Sequence, residues 1–190
     1  MKKKLVTKKL VTIRTAEIKD APKIRDIYGY YVTNSAATFE TEVPTVEDMA
    51  SRIKNTLEKY PFIVAEINDE VVGYAYAGPL RLRKAYDNSS ETSIFLDKDF
   101  LKDNIGTELY SRLLIILKAQ NILNVYACIT DNNIGSIKFH KKHGFKEIGK
   151  FSKCGYKLNN FYGVVWMEKF LGEHDKQPRE FISFQEYKDS

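Results

Sequence analysis

The sequence predicts a single mixed-sheet α/β domain, and three observations carry that prediction. Its elements follow the order strand, two helices, three strands, helix, strand, helix, two strands. In the middle, the apolar run Ile94-Phe95-Leu96 leads through a polar loop that closes on Asn104-Ile105-Gly106 and passes at once into an amphipathic segment. The 190 residues are enough for one domain with a sizeable core, and no repeat or low-complexity linker divides them.

Taken in order, Thr12-Ile13-Arg14 opens a short strand. Asp20 caps the first helix, Pro22 lies in its first turn, and Ile24, Ile27, Tyr28 and Tyr31 form its apolar stripe. Asn34 to Pro44 reads as a loop, where Phe39 is either a pocket wall or a core plug. Thr45 and Asp48 are a capping-box pair that starts a second helix to about Lys59. Phe62–Ile67 and Val71–Ala77 read as a hairpin joined by Asn68-Asp69-Glu70. Leu80 to Asn88 is a basic, aromatic connection to the central strand at Thr92–Leu96. Ile105, Leu109, Leu113 and Ile116 recur at helical spacing. Val125–Ile129 reads as a buried strand, Asp131-Asn132-Asn133 caps a helix from Ile134 to Lys142, and strands near Lys146–Tyr156 and Phe161–Phe170 follow. The stretch 172–190 is charged but carries Phe181, Ile182, Phe184 and Tyr187, so it packs either on the domain or on a partner.

Composition narrows the function classes. No apolar run approaches the ~20 residues of a membrane span. Residues 1–10 are basic with no long apolar region after them, which reads as a solvated leader on a cytoplasmic protein. The net charge of +5 comes from lysines scattered among acids rather than from one basic tract, so it suits an anionic small molecule better than nucleic acid. Cys128 and Cys154 match no metal spacing and read as reduced structural thiols, and no other residues form a metal constellation. The glycine-bearing loop has a direct chemical implication. A helix N-terminus presents unpaired N–H groups and the positive end of the dipole, which together favour an anion such as a phosphate. On the residues alone, an ordinary strand-to-helix turn fits equally.

Two further stretches carry a resemblance. Asn133, Ser136, His140, Gly144 and Phe145 fit the pattern N-x-x-S-x-x-x-[YH]-x-x-x-G-F. With the strand–loop–helix upstream, the chain resembles the GNAT superfamily of N-acetyltransferases over residues 11–171. Gly78-Pro79-Leu80-Arg81, Tyr86, Glu91-Thr92-Ser93-Ile94-Phe95-Leu96, His140 and the ending Gly155-Tyr156-Lys157 to Trp166 resemble its phosphinothricin and methionine sulfoximine acetyltransferase branch. One departure stands out. The superfamily's pyrophosphate loop, [QR]-x-x-G-x-[GA], here has Leu101 at its first position and Asn104 in place of its first glycine.

The resemblance implies a mixed, mostly antiparallel central sheet flanked by helices. It implies transfer of an acetyl group from acetyl-CoA to the α-amine of a small amino acid or analogue, by a homodimer and without a metal. Another small amine as acceptor, or an acetyl-CoA-binding module without turnover, are the alternatives. Glu91 takes the position of the branch's catalytic carboxylate; without the family it reads as a solvated strand-end glutamate. His140 either donates to the departing sulfur, orients water, or only packs. Ile94, Phe95 and Leu96 are expected to face the pantetheine arm, and residues Lys102, Asp103, Asn104, Ile105, Gly106 and Thr107 the pyrophosphate. Asn133 and Lys142 are further cofactor contacts, Asn133 being a plain helix cap otherwise. Arg81, Tyr86 and Phe39 are expected to hold the acceptor, with a surface arginine as the other reading of Arg81.

Overall fold

A computed structural model describes residues 11–101, 104–174 and 176–189. The strands are β1 (Thr12–Thr15), β2 (Phe62–Ile67), β3 (Glu70–Pro79), β4 (Ser89–Leu96), β5 (Asn124–Thr130), β6 (Lys146–Lys157) and β7 (Asn160–Phe170). The helices are α1 (Ala21–Asn34), α2 (Val46–Leu57), α3 (Ile105–Ala119), α4 (Ile134–Lys142) and α5 (Phe184–Asp189). The strands form one sheet in the order β1-β2-β3-β4-β5-β7-β6. Every neighbouring pair is antiparallel except β4 and β5.

Local chemistry explains most boundaries. Thr45 and Asp48 cap α2 reciprocally, each side chain bonding the other's backbone N–H at 3.1 Å. The turn between β2 and β3 is the two residues Asn68 and Asp69, both at positive φ (52° and 62°), as a tight hairpin of matching twist requires. Leu158 and Asn159 do the same between β6 and β7.

The sheet separates two cores. α1 and α2 cover one face, where Ile24, Tyr28, Met49 and Ile53 pack on Phe62, Val64 and Tyr74. α3 covers the other, where Ile105, Leu109, Leu113 and Leu117 pack on Ala75, Ala77, Val125, Ala127 and Met167. Phe184 of α5 joins this second core at 2% exposure. That decides between the two expectations for the C-terminal stretch: it packs on its own domain.

Asp20 departs from its expected role. Its side chain makes no cap bond to α1. It accepts instead from both Arg14 guanidinium nitrogens, at 2.7 and 2.8 Å, and Arg14 also pairs with Glu66. A half-buried cation gains more from two carboxylates than a helix end gains from one cap, so Asp20, which also accepts from Glu17 N–H at 2.8 Å, ties Arg14 of β1 to the turn before α1, while Glu66 ties the same guanidinium to β2. The β6–β7 hairpin stands at the sheet edge and leaves Ile148, Phe151, Tyr156 and Phe161 exposed.

Candidate active site

β4 and β5 hydrogen-bond as a parallel pair only over Ser89–Glu91 and Asn124–Tyr126. Both strands then continue, β4 to Leu96 and β5 to Thr130, without pairing. A cavity of about 440 Å³ lies along the parting, lined by Thr92 to Leu96, by Ala127 to Ile129, and by Gly106, Asn133, Phe139 and His140. The central strand is longer than the apolar pattern implied, so Glu91 lies inside β4 rather than before it. The polar residues Ser89-Ser90-Glu91 hid the first half of the strand from an apolar pattern.

Side chains pin the parting at both ends. Thr92 Oγ1 donates to the Tyr126 carbonyl at 3.1 Å, which leaves it to accept from Tyr110 Oη at 2.7 Å. Tyr31 Oη donates to the Leu96 carbonyl at 2.6 Å. The sequence marked Tyr31 only as part of the apolar stripe of α1 and did not mark Tyr110, because the hydroxyl of each reaches across to another element.

Glu91 is half-buried, one residue before the cavity-lining segment. Burial pushes its carboxyl above the usual range, and the Arg81 charge pulls the other way. Arg81 and Tyr86 lie on the exposed connection between β3 and β4, where Arg81 Nη1 donates to the Leu80 carbonyl. Phe39, 38% exposed, lies on the α1–α2 loop, and its neighbour Ala37 lines the cavity.

The two helices bordering the cavity start on asparagines. Asn104 adopts the left-handed conformation (φ 54°, ψ 1°) and its side chain caps nothing. Its carbonyl accepts from the N–H groups of Thr107 and Glu108, and among the described residues those of Ile105 and Gly106 stay open. A Cβ on Gly106 would lie 3.2 Å from Leu96 and 3.4 Å from Phe139, so glycine permits the close approach of α3 to both. Leu101 is exposed at the cavity rim. Lys102 and Asp103 lie outside the described residues. Asn133 caps α4 through Oδ1, which accepts from Ser136 N–H at 3.1 Å and leaves its amide N–H groups for a ligand. Lys142 is exposed in the last turn of α4.

His140 is 3% exposed, ringed by Tyr110, Phe139 and Phe145. Its Nδ1 lies 2.9 Å from the Ser136 carbonyl, which only accepts, so Nδ1 carries the proton. Burial lowers its pKa to about 4. The neutral ring therefore has a bare, buried Nε2 without a hydrogen-bond partner among the described residues. Cys128 also departs from expectation. Both cysteines are free and exposed, and Cys128 lines the cavity, whose walls partly desolvate its thiol and push it up to about 11.

The residues present suit a thioester of a nucleotide-bearing thiol. An unpaired strand edge supplies amides along the arm, and the open N-terminus of α3 receives an anion. No group of metal-ligating side chains occurs among the described residues.

Comparison with known proteins agrees. The profile of the Acetyltransferase (GNAT) domain matches residues 13–166. A phosphinothricin N-acetyltransferase of Streptomyces viridochromogenes is 32% identical over 161 residues, covering 84% of this chain and 88% of that protein. An L-methionine sulfoximine/L-methionine sulfone acetyltransferase of Pseudomonas aeruginosa is 29% identical over 159 residues, 83% of this chain and 92% of that one. The crystal structure of a GNAT superfamily phosphinothricin acetyltransferase from Sinorhizobium meliloti, in complex with AcCoA, superposes with a TM-score of 0.86 at 32% identity, over 90% of this chain and 94% of that chain.

Proposed function

The chain belongs to the GNAT family of N-acetyltransferases, and from that premise we propose that it transfers acetyl from acetyl-CoA to the α-amine of a small amino acid or analogue of the phosphinothricin and methionine sulfoximine class. The observation that carries this is the parting of β4 from β5 beside a half-buried glutamate.

When bound, acetyl-CoA supplies an activated acetyl group. Gly106, Ile105 and Thr107 at the start of α3, with Asn104, Lys102 and Asp103 before it, hold the pyrophosphate, and Asn133 and Lys142 add contacts from α4. The backbone N–H groups of Ile94 and Leu96, on the edge that faces away from β3, would align the pantetheine arm and polarise the thioester carbonyl, while the N–H of Phe95 turns toward β3. Arg81 holds the acceptor carboxylate or phosphinate, with Tyr86 and Phe39 as walls. Glu91 takes one proton from the incoming ammonium, which frees the lone pair to form the C–N bond. As the C–S bond breaks, the sulfur takes the electron pair and the second amine proton reaches it, giving amide and thiol. His140 does not supply that proton, because its Nε2 is bare; it orients a water or the thiol as an acceptor.

The reading includes a cytoplasmic homodimer. The exposed apolar side chains of the β6–β7 hairpin supply a surface for it, and light scattering at micromolar concentration is expected to report twice the chain mass.

Thiol release from acetyl-CoA, followed across amino acids, phosphinothricin, methionine sulfoximine and simple amines, tests the function. Turnover is expected with α-amino acids or analogues. Preference for amines without a carboxylate moves the acceptor class, and acetyl-CoA binding without turnover makes the chain a binding module. No calorimetric binding of acetyl-CoA to folded protein overturns the reading.

A further inference from the structure

Lys157, at the end of β6, is a buried lysine, 5% exposed. Its Nζ donates to the Thr38 carbonyl at 2.7 Å, a contact that spans 119 residues. Burial pushes the Lys157 ammonium down in pKa, and Glu40 pulls the other way. Taking a lysine head out of water has a free-energy cost that a surface role does not require, so the bond it makes is the place to look for its purpose.

That bond falls in the middle of three consecutive residues with three different duties. Ala37 lines the cavity. The Thr38 carbonyl is held by Lys157, and its hydroxyl lies 2.7 Å from Tyr28 Oη. The Phe39 ring lies over Gly155, where a Cβ would come within 2.4–2.8 Å of three ring carbons. Gly155 lacks a positive φ, so the close approach of the ring is what excludes a side chain there. Next in the chain, Glu40 accepts from both guanidinium nitrogens of Arg52, at 2.8 and 3.1 Å. Tyr28 in turn packs edge-on against Phe95 of β4, ring centroids 5.2 Å apart.

We propose that Lys157 and Gly155 form a latch by which the β6–β7 hairpin fixes loop 35–44 against the cavity, making Lys157 a positioning residue that sets acceptor affinity through Phe39. The inference rests on the acetyltransferase reading for its kinetic consequence, and on geometry alone for the latch. It differs from a stabilising contact in what it moves. The loop carries Phe39, which the acetyltransferase reading assigns to the acceptor, whereas the start of α3, which that reading assigns to the pyrophosphate, touches neither the loop nor the hairpin through any of these bonds.

Three variants test it: Lys157→Met, which keeps the stem and removes the donor; Lys157→Arg, which keeps a charged donor; and Gly155→Ala, which displaces Phe39 and leaves Lys157 in place. Amide hydrogen exchange in 35–44, acetyl-CoA Kd, and acceptor KM and kcat are measured for each. Loss of a charge-assisted bond is expected to raise acceptor KM by about tenfold in Lys157→Met, with acetyl-CoA Kd unchanged and exchange in 35–44 faster. Lys157→Arg is expected to recover part of both effects, and Gly155→Ala to raise KM similarly. Should Lys157→Met fail to fold, Gly155→Ala decides. Unchanged exchange and KM in a folded variant overturn the proposal, as does an equal loss of acetyl-CoA affinity. Faster exchange in a protein that acetylates no acceptor leaves the latch standing and sinks the acetyltransferase reading instead.

Discussion

The two halves of β4 share one backbone and differ in almost everything else. Ser90 and Glu91 are paired on both sides, to β3 and to β5, and Ser89 to β5. Thr92–Leu96 is paired to β3 alone, and its other edge faces the cavity. An unpaired strand edge inside a sheet is normally a liability. Here Thr92 and Tyr31 fix its two ends through the Tyr126 and Leu96 carbonyls, so the gap is held open instead of closing into a ladder. The difference suggests a division of labour for the proposed reaction: the fully paired half carries Glu91, the proposed base, and the half-paired one leaves a main-chain edge open to the proposed ligand.

If that division is right, damage to one half should leave the other's function intact. The largest effect is expected from Glu91→Gln, which keeps the shape and removes the proton acceptor. The rate with the best acceptor should fall by about 10²–10⁴-fold, while calorimetry gives an unchanged acetyl-CoA Kd. The base must be ionised, and burial raises its pKa. The acid limb of kcat/KM should therefore lie above the ordinary glutamate range in the wild type and disappear in the variant, with partial rescue as rising pH supplies free amine. Near-wild-type turnover with the same pH profile would make Glu91 structural.

A middle-sized effect is expected on the other half. The Cβ of Gly106→Ala would press on Leu96 and Phe139 at 3.2 and 3.4 Å, pushing α3 away from the open edge. Acetyl-CoA Kd should rise by roughly three- to tenfold. Helix propensity gains about 1 kcal/mol from the same change, so thermal stability should move little. A kcat loss at saturating cofactor, without a Kd change, would break the division. The smallest effect is expected from Asn104→Gly, which relieves the left-handed residue at the start of α3. Strain there is on the order of 1 kcal/mol, so acetyl-CoA binding should tighten by less than about tenfold. Unchanged Kd would mean that asparagine holds the turn at no cost.

Much of this was readable in the chain because its signals are local. The helical stripes, the capping box at Thr45 and Asp48, and the start of α3 just after Asn104 each depend on a few neighbouring residues. The start of β4 was missed for a related reason: Ser89-Ser90-Glu91 has no apolar signature, and only pairing with two other strands makes it a strand. Asp20 looked like a cap because its sequence position suits one, yet the Arg14 guanidinium, which Glu66 holds from across the sheet, takes its carboxylate instead. The Lys157–Thr38 bond and the roles of Tyr31 and Tyr110 are likewise long-range. Nothing in their immediate sequence distinguishes them from surface or core residues.

The stretch after β7 has a consequence for the order of events during synthesis. Gln120, at the end of α3, donates through Nε2 to the carbonyls of Lys59 and Ile182, while Ile182 N–H reaches the Gln120 carbonyl and Phe184 N–H the Lys59 carbonyl. Residues 182–184 thus suture the end of α2 to the end of α3, although they are translated after every strand of the sheet. A nascent chain that has completed β7 still has an open seam beside Tyr60, whose ring packs on Phe181 at 5.3 Å. That seam can close only once residues 181–184 have been synthesised, a segment that lies beyond residues 13–166 matched by the acetyltransferase domain.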